Sequence, residues 1–95
     1  MLRDEDTGAP LRAHLQYEMG RISRYFEDLD GAIEHYRISL NIDQDLDNAY
    51  GVGKAFHRLG DVYSFRTSLD WTDAIQNLQM AKSAFEKVEA RLTKE

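Results

Sequence analysis

The sequence predicts an all-α fold of four antiparallel helices, arranged as two tandem helix-turn-helix repeats. Three observations support this prediction. Apolar residues recur every three or four positions in four stretches, no stretch alternates with a period of two, and short breaks containing Asp, Gly or Asn separate the stretches. The chain of 95 residues has room for one small domain.

The first two helices are predicted over residues 10–26 and 31–43. Pro10 suits the first turn of a helix, where its missing N–H is not needed. One face of the first helix carries, at spacings of four, four, three and four, Leu11, Leu15, Met19, Ile22 and Phe26. Asp30 is the expected N-cap of the second helix. The apolar face of that helix consists of Ala32, Ile33, Tyr36 and Leu40.

The third and fourth helices are predicted over residues 49–65 and 71–92. Asp47 or Asn48 caps the third helix, and Asp70 with Asp73 resembles a capping box at the start of the fourth. The third helix carries Val52, Phe56, Leu59, Val62 and Tyr63. A seven-residue rhythm in the fourth helix comprises Leu78, Ala81, Phe85, Val88 and Leu92. Its last members, Phe85, Val88 and Leu92, either fold back on the third helix or contact a second subunit or a next repeat.

Composition and charge exclude several classes of protein. Without cysteine the chain has no disulfides and no cysteine-based zinc site, and it has no apolar run long enough to cross a membrane. A net charge of −5 disfavours nucleic acid and anionic membranes as partners. We therefore expect a cytoplasmic, intracellular protein. Residues 1–9 contain three acidic side chains and are interpreted as a flexible acidic lead rather than a signal peptide.

The two halves of the remaining chain, residues 10–95, repeat each other. Met19-Gly20 recurs as Leu59-Gly60 after forty residues, and Ala32-Ile33 recurs as Ala74-Ile75 after forty-two. Tyr36 likewise corresponds to Leu78. The repeats span about residues 10–46 and 47–92, and a repeated helix pair is typical of a solenoid. Gly20 and Gly60 lack a Cβ, so we expect the partner helix to approach closely at both positions.

These residues resemble the tetratricopeptide repeat (TPR) family, in its long variety of about forty residues. The resemblance rests on Leu59-Gly60-Asp61-Val62-Tyr63 for a first helix, on Ala32-Ile33-Glu34-His35-Tyr36 for a second, and on the inter-repeat link Leu46 to Phe56. It covers about residues 12–90. It implies a segment of right-handed α-α superhelix that binds partner proteins and has no catalysis of its own.

In the resemblance, partner peptides lie on the concave face, which is lined by the first helix of each pair. On this chain that face comprises His14, Tyr17, Arg21, Arg24, Lys54, His57, Arg58 and Asp61. Its basic groups would hold an acidic or carboxylate-ended segment of a protein or peptide through charge-assisted hydrogen bonds. The alternative is that these side chains are solvated charges on exposed helix faces.

The sequence shows no catalytic constellation, metal site or cofactor motif. His14, His35 and His57 fall on three different helices and have no cysteine partner. The alternating acids from Asp43 onward resemble a calcium loop, but Asn48 stands where its glycine is needed. We therefore expect no enzyme but a scaffold or adaptor. The alternative is a structural domain, possibly part of a larger regulator, that forms a homodimer through its C-terminal helix.

Overall fold

The computed structural model describes residues 4–66 and 71–93, which form four α-helices. They are α1 (Asp4–Tyr25), α2 (Leu29–Asp45), α3 (Ala49–Arg66) and α4 (Trp71–Thr93). Each helix packs mainly on its neighbours along the chain, α1 on α2, α2 on α3 and α3 on α4. Residues 4–66 and 71–93 contain no strand, and the all-α fold of tandem helical hairpins is confirmed. No helix in these ranges is long and apolar enough to cross a membrane.

The first helix begins earlier than the sequence suggests. It starts at Asp4, six residues before Pro10, so residues 4–9 of the expected acidic lead are helical and Pro10 lies inside the helix. Proline cannot donate to the preceding turn, but acidic side chains near a helix N-terminus are favoured by the macrodipole. The proline pattern therefore placed the start of the helix too late.

The N-cap of α2 is Asp28, and the prediction that Asp30 caps this helix is wrong. Asp28 Oδ1 accepts a hydrogen bond from the Gly31 N–H at 3.0 Å, which satisfies a donor that the helix itself leaves free. Asp30 lies in the first turn and forms an ion pair with Arg66 on α3, with Nη1 and Oδ1 3.0 Å apart.

Asn48, one of the two candidates for the cap of α3, accepts a hydrogen bond from the Gly51 N–H at 3.3 Å. Asp70, the first residue of the predicted capping box, lies outside the described residues.

Two of the turns share one backbone geometry. Glu27 and Asp47 adopt positive φ values of 63° and 54°. Around Glu27, the Asp28 N–H donates to the Ser23 carbonyl at 2.8 Å and the Glu27 N–H to the Arg24 carbonyl at 3.0 Å. The turn at Asp47 repeats this pair of bonds. This is the Schellman arrangement, with an acidic residue in the position where glycine is commonest.

The core lies along α2 and α3 and confirms the apolar faces predicted for both. Ala32, Tyr36, Leu59 and Val62 are at most 2% exposed, and Ala74 of α4 joins the same cluster. The close approach expected at the two glycines is also present. A Cβ on Gly20 would lie 2.6 Å from Tyr36 Cε1, and one on Gly60 would lie 2.7 Å from Leu78 Cγ.

The C-terminal half of α4 packs against α3 through Phe85. The ring of Phe85 lies over Gly53, where a Cβ would be 2.6 Å from Cε1, and its centroid is 6.0 Å from that of Tyr50. Val88 is partly buried and Leu92 is exposed. Of the three residues singled out for contact with a second subunit, Phe85 is thus engaged within its own chain.

Candidate functional site

Side chains from α1 and α3 meet in one groove, which we call the cationic groove. It is formed by Tyr17 and Arg24 of α1 with Lys54, Arg58 and Asp61 of α3. Arg58 Nε donates to the Tyr17 hydroxyl at 2.8 Å, although the two residues are 41 positions apart in the sequence. The Arg24 Nε and Asp61 Oδ2 atoms lie 3.8 Å apart. The groove therefore gathers three cationic groups and one carboxylate.

Tyr17 forms the floor of the cationic groove. It is buried, and its ring lies at a tilt against Tyr36, with the centroids 5.6 Å apart. Lys54 Nζ lies 4.6 Å from the centroid of the Tyr17 ring, and the guanidinium carbon of Arg58 lies 5.8 Å from it. Both distances are within the range of cation–π attraction. The buried ring thus holds two of the cations beside each other.

Arg24 lies in the part of the groove beside Asp61 and Phe65. Its guanidinium carbon lies 4.5 Å from the centroid of the Phe65 ring. Its Nε is buried, and among the side chains that the structure describes no acceptor forms a hydrogen bond with it. A buried donor without an acceptor is costly, and the 3.8 Å to Asp61 is too long for a hydrogen bond. Arg24 is therefore held by stacking on Phe65 and by attraction to Asp61, and its Nε–H remains able to donate a hydrogen bond.

Hydrogen bonding and burial set the charges around the groove. The hydrogen bond to Tyr17 is the main cause that raises the pKa of Arg58 above its ordinary value, so this guanidinium stays charged. Burial raises the pKa of Tyr36 to about 12, so this hydroxyl beneath the groove stays neutral. The positive charge of Arg58 is thus permanent near neutral pH.

A cleft of about 150 Å³ adjoins the groove beside Lys54. His14 and Tyr17 of α1 line it, together with Ser39 and Asp43 of α2. Asp43 is buried, and burial raises the pKa of its carboxyl; a hydrogen bond from Asn48 Nδ2 at 3.2 Å and the charge of Lys54 oppose that rise. The cleft thus places a buried carboxyl beside the cations of the groove.

The structure brings together most, but not all, of the residues that the sequence assigned to the concave face. Five of the eight form two sets of contacts: Lys54 and Arg58 contact Tyr17, and Arg24 pairs with Asp61. His14 lines the adjoining cleft. Arg21 is exposed and pairs with Glu18 of its own helix, with Nη1 and Oε2 3.0 Å apart. His57 is exposed on α3.

Sequence reasoning missed two contributors to the site, Phe65 and Asp43. Phe65 follows Asp61 by four residues, so helical spacing alone would place the two on one side of α3. Asp43 gave no such signal. It lies in the last turn of α2, where an acidic residue is ordinarily solvated, and its burial depends on how α3 follows the turn.

The described side chains contain no group of three or more His, Asp or Glu residues placed to hold a metal ion. Comparisons with protein-family models, with curated proteins and with solved structures give no match for this chain.

Proposed function

We propose that this protein is a non-catalytic interaction module of the TPR type, a scaffold or adaptor, which binds an acidic segment of a partner protein in the cationic groove. One observation carries the proposal. In a chain with a net charge of −5, Lys54 and Arg58 of α3 converge on Tyr17 of α1. Arg24 of α1 pairs with Asp61, whose charge also acts on Arg58.

The contacts of these cations favour a binding surface over a set of solvated charges. A solvated lysine or arginine extends into water, whereas Arg24 lies over Phe65 and Arg58 is fixed by the Tyr17 hydroxyl. Such side chains have already lost much of their rotamer freedom, so a ligand that pairs with them has less ordering to impose. The groove is therefore preorganised for a carboxylate partner.

The chemistry of the groove matches an acidic peptide. Lysine and arginine donate charge-assisted hydrogen bonds to carboxylates, and these are about twice as strong as neutral hydrogen bonds. Two carboxyls lie near the three cations, Asp61 beside Arg24 and Asp43 beside Lys54, so at least one positive charge remains in excess. The ring of Phe65, which is 63% exposed, adds apolar surface for the side chains between the acids.

The test is fluorescence anisotropy with a labelled short peptide of Glu, Asp and Phe, titrated with the protein. We expect saturable binding that weakens as salt is added, since exposed ion pairs are screened. The variant Lys54→Glu should weaken binding about tenfold or more, a loss of ~1.4 kcal/mol. Its matched control is Lys82→Glu, which makes the same charge change at an exposed position of α4.

A second peptide, in which Lys replaces each acidic residue, should not bind. Equal affinity of the Lys54→Glu and Lys82→Glu variants for the acidic peptide would overturn the proposal. Equal affinity of the protein for the acidic and basic peptides would do the same, because the groove would then not discriminate by charge.

A further inference from the structure

The face of α1 that points away from α2 is apolar and exposed. Its members are Leu11, Leu15, Met19, Ile22 and Phe26, which we call the α1 stripe, and they are 68%, 54%, 36%, 57% and 73% exposed. Single exposed apolar residues are common on proteins, but four of these lie in one row along α1. Phe26 continues the row in the turn directly after the helix, where its N–H donates to the Ile22 carbonyl at 3.1 Å. Together the five expose roughly 500 Å² of side chain, at the upper end of what monomeric proteins present as one patch.

The internal repeat shows how such a surface is covered within this chain. Three members of the α1 stripe have counterparts in α3 at an offset of forty residues. Leu15 corresponds to Ala55, Met19 to Leu59 and Ile22 to Val62. The three residues of α3 are at most 2% exposed, because they form one cluster with Ile33, Tyr36 and Leu40 of α2. The same side of a first helix is thus covered by a neighbouring helix in the second repeat and left uncovered in the first.

In a head-to-tail stack of two copies, α4 of one copy would cover the α1 stripe of the other. The outer face of α4 is not suited to this contact. α4 is the counterpart of α2 at an offset of forty-two residues. Ile75 matches Ile33, but Lys82 stands where α2 buries Leu40, and it is exposed. A charged group at this place suits the solvated end of a helical stack rather than an interface. The cover for the α1 stripe is therefore not a second copy of α4.

The α1 stripe matches itself. Its spacing is almost the same in either direction, so two antiparallel α1 helices related by a two-fold axis near Met19 would set Leu11 against Phe26 and Leu15 against Ile22 of the other copy. Glu18 and Arg21, which are paired within the chain at 3.0 Å, flank the stripe near this axis. In this register the residues opposite Glu18 and Arg21 are Met19 and Gln16 of the other copy, so the two charges are balanced by each other within one chain and not across the axis.

We infer that two copies of this chain associate through the α1 stripe into a two-fold symmetric dimer. Both stripes and their flanks would bury on the order of 1,000–1,500 Å², the lower part of the range for specific interfaces. The dimer is accordingly expected to dissociate on dilution. The cationic groove lies on another side of α1, so each copy keeps its groove open.

The test is sedimentation or light scattering across a dilution series of the whole chain. We expect the mass to rise with concentration from 11.0 kDa to twice that value and to stop there. Leu15→Glu places a charge in the middle of the α1 stripe and should keep the protein monomeric at every concentration. Ile75→Glu, a change of the same kind at a 52% exposed position of α4, should leave the dimer intact.

Cross-linking tests the geometry without a destabilising charge. The chain has no cysteine, so Met19→Cys introduces a single thiol. Under mild oxidation this thiol should form an intermolecular disulfide much faster than that of Ile75→Cys, because the axis brings two copies of residue 19 together. Equal rates would overturn the inference.

Three outcomes of the mass measurement would also overturn it. A strict monomer at all concentrations would mean that no second copy covers the stripe. Masses that grow beyond two copies would mean head-to-tail stacking. A dimer that Ile75→Glu dissociates and Leu15→Glu leaves intact would assign the interface to α4.

Discussion

Gly20 faces the ring of Tyr36 so closely that a Cβ on Gly20 would lie 2.6 Å from Tyr36 Cε1. Gly60 and Leu78 repeat this relationship in the second hairpin, with 2.7 Å between the added Cβ and Leu78 Cγ. In both hairpins a glycine of the first helix receives a large side chain of the second. The repeat in the sequence is thus a repeat of one packing contact.

Gly20→Ala should destabilise the protein. The ring of Tyr36 is 1% exposed and has no room to withdraw, so the added methyl group overpacks the helix pair at a cost of about 1–3 kcal/mol. The better helix propensity of alanine offsets up to ~1 kcal/mol of this cost. The measurement is the free energy of unfolding in urea.

Gly8→Ala is the matched control. It makes the same change in the same helix, but the added Cβ would meet only the end of the Arg12 side chain, at 3.4 Å. It should leave stability unchanged or raise it by up to ~1 kcal/mol. If Gly20→Ala were as stable as Gly8→Ala, the packing contact between Gly20 and Tyr36 would be refuted.

These glycine contacts are a part of the fold that the sequence alone predicts. Gly20, Gly60, Tyr36 and Leu78 recur at fixed offsets, and this recurrence is enough to predict that they pack in the same way. The spacing of the α1 stripe requires only a helix and does not say which element, if any, covers it. Contacts across long sequence separations, such as that of Arg58 with Tyr17, depend on helix crossing and have no local signal.

The cap of α2 shows the same limit at short range. Asp28 and Asp30 are both good N-cap residues two positions apart, and the choice between them depends on where the preceding turn ends. Glu27 with its positive φ ends that turn, so the next residue, Asp28, becomes the cap.

Removing this cap gives a second prediction. Asp28→Ala should cost about 1 kcal/mol, because the Gly31 N–H loses its acceptor. Asp30→Ala removes an exposed ion pair with Arg66 and should cost ~0.5 kcal/mol or less. Thermal unfolding followed by circular dichroism compares the two variants. A larger loss for Asp30→Ala than for Asp28→Ala would contradict the assignment of the cap.

The hydrogen bond between Arg58 and Tyr17 gives a third prediction. Tyr17→Phe keeps the ring under Lys54 and Arg58 but removes the acceptor of the Arg58 Nε–H, and it should cost about 1 kcal/mol of stability. Tyr25→Phe removes the same hydroxyl from a ring that is 82% exposed, and should cost little. In a double-mutant cycle with Arg58→Gln, Tyr17→Phe should show a coupling of roughly 0.5–1.5 kcal/mol. Independent effects of the two substitutions would argue against this bond.

The buried carboxyl of Asp43 gives a prediction about pH. Burial raises its pKa in the folded state, so the folded protein binds its proton more tightly than the unfolded chain does. The folding stability that this group contributes is therefore greatest below its unfolded pKa and falls as the pH rises through the folded pKa.

The variant Asp43→Asn tests this dependence. It keeps an oxygen that can accept a hydrogen bond from Asn48 and removes the charge. The variant should melt at a higher temperature than the unmodified protein at about pH 7, and the difference should shrink toward about pH 3, where the carboxyl is protonated in both states. Asp45→Asn makes the same change at an exposed residue of the same helix turn and is the matched control. A gain for Asp43→Asn that stays constant with pH would mean that charge burial is not its cause.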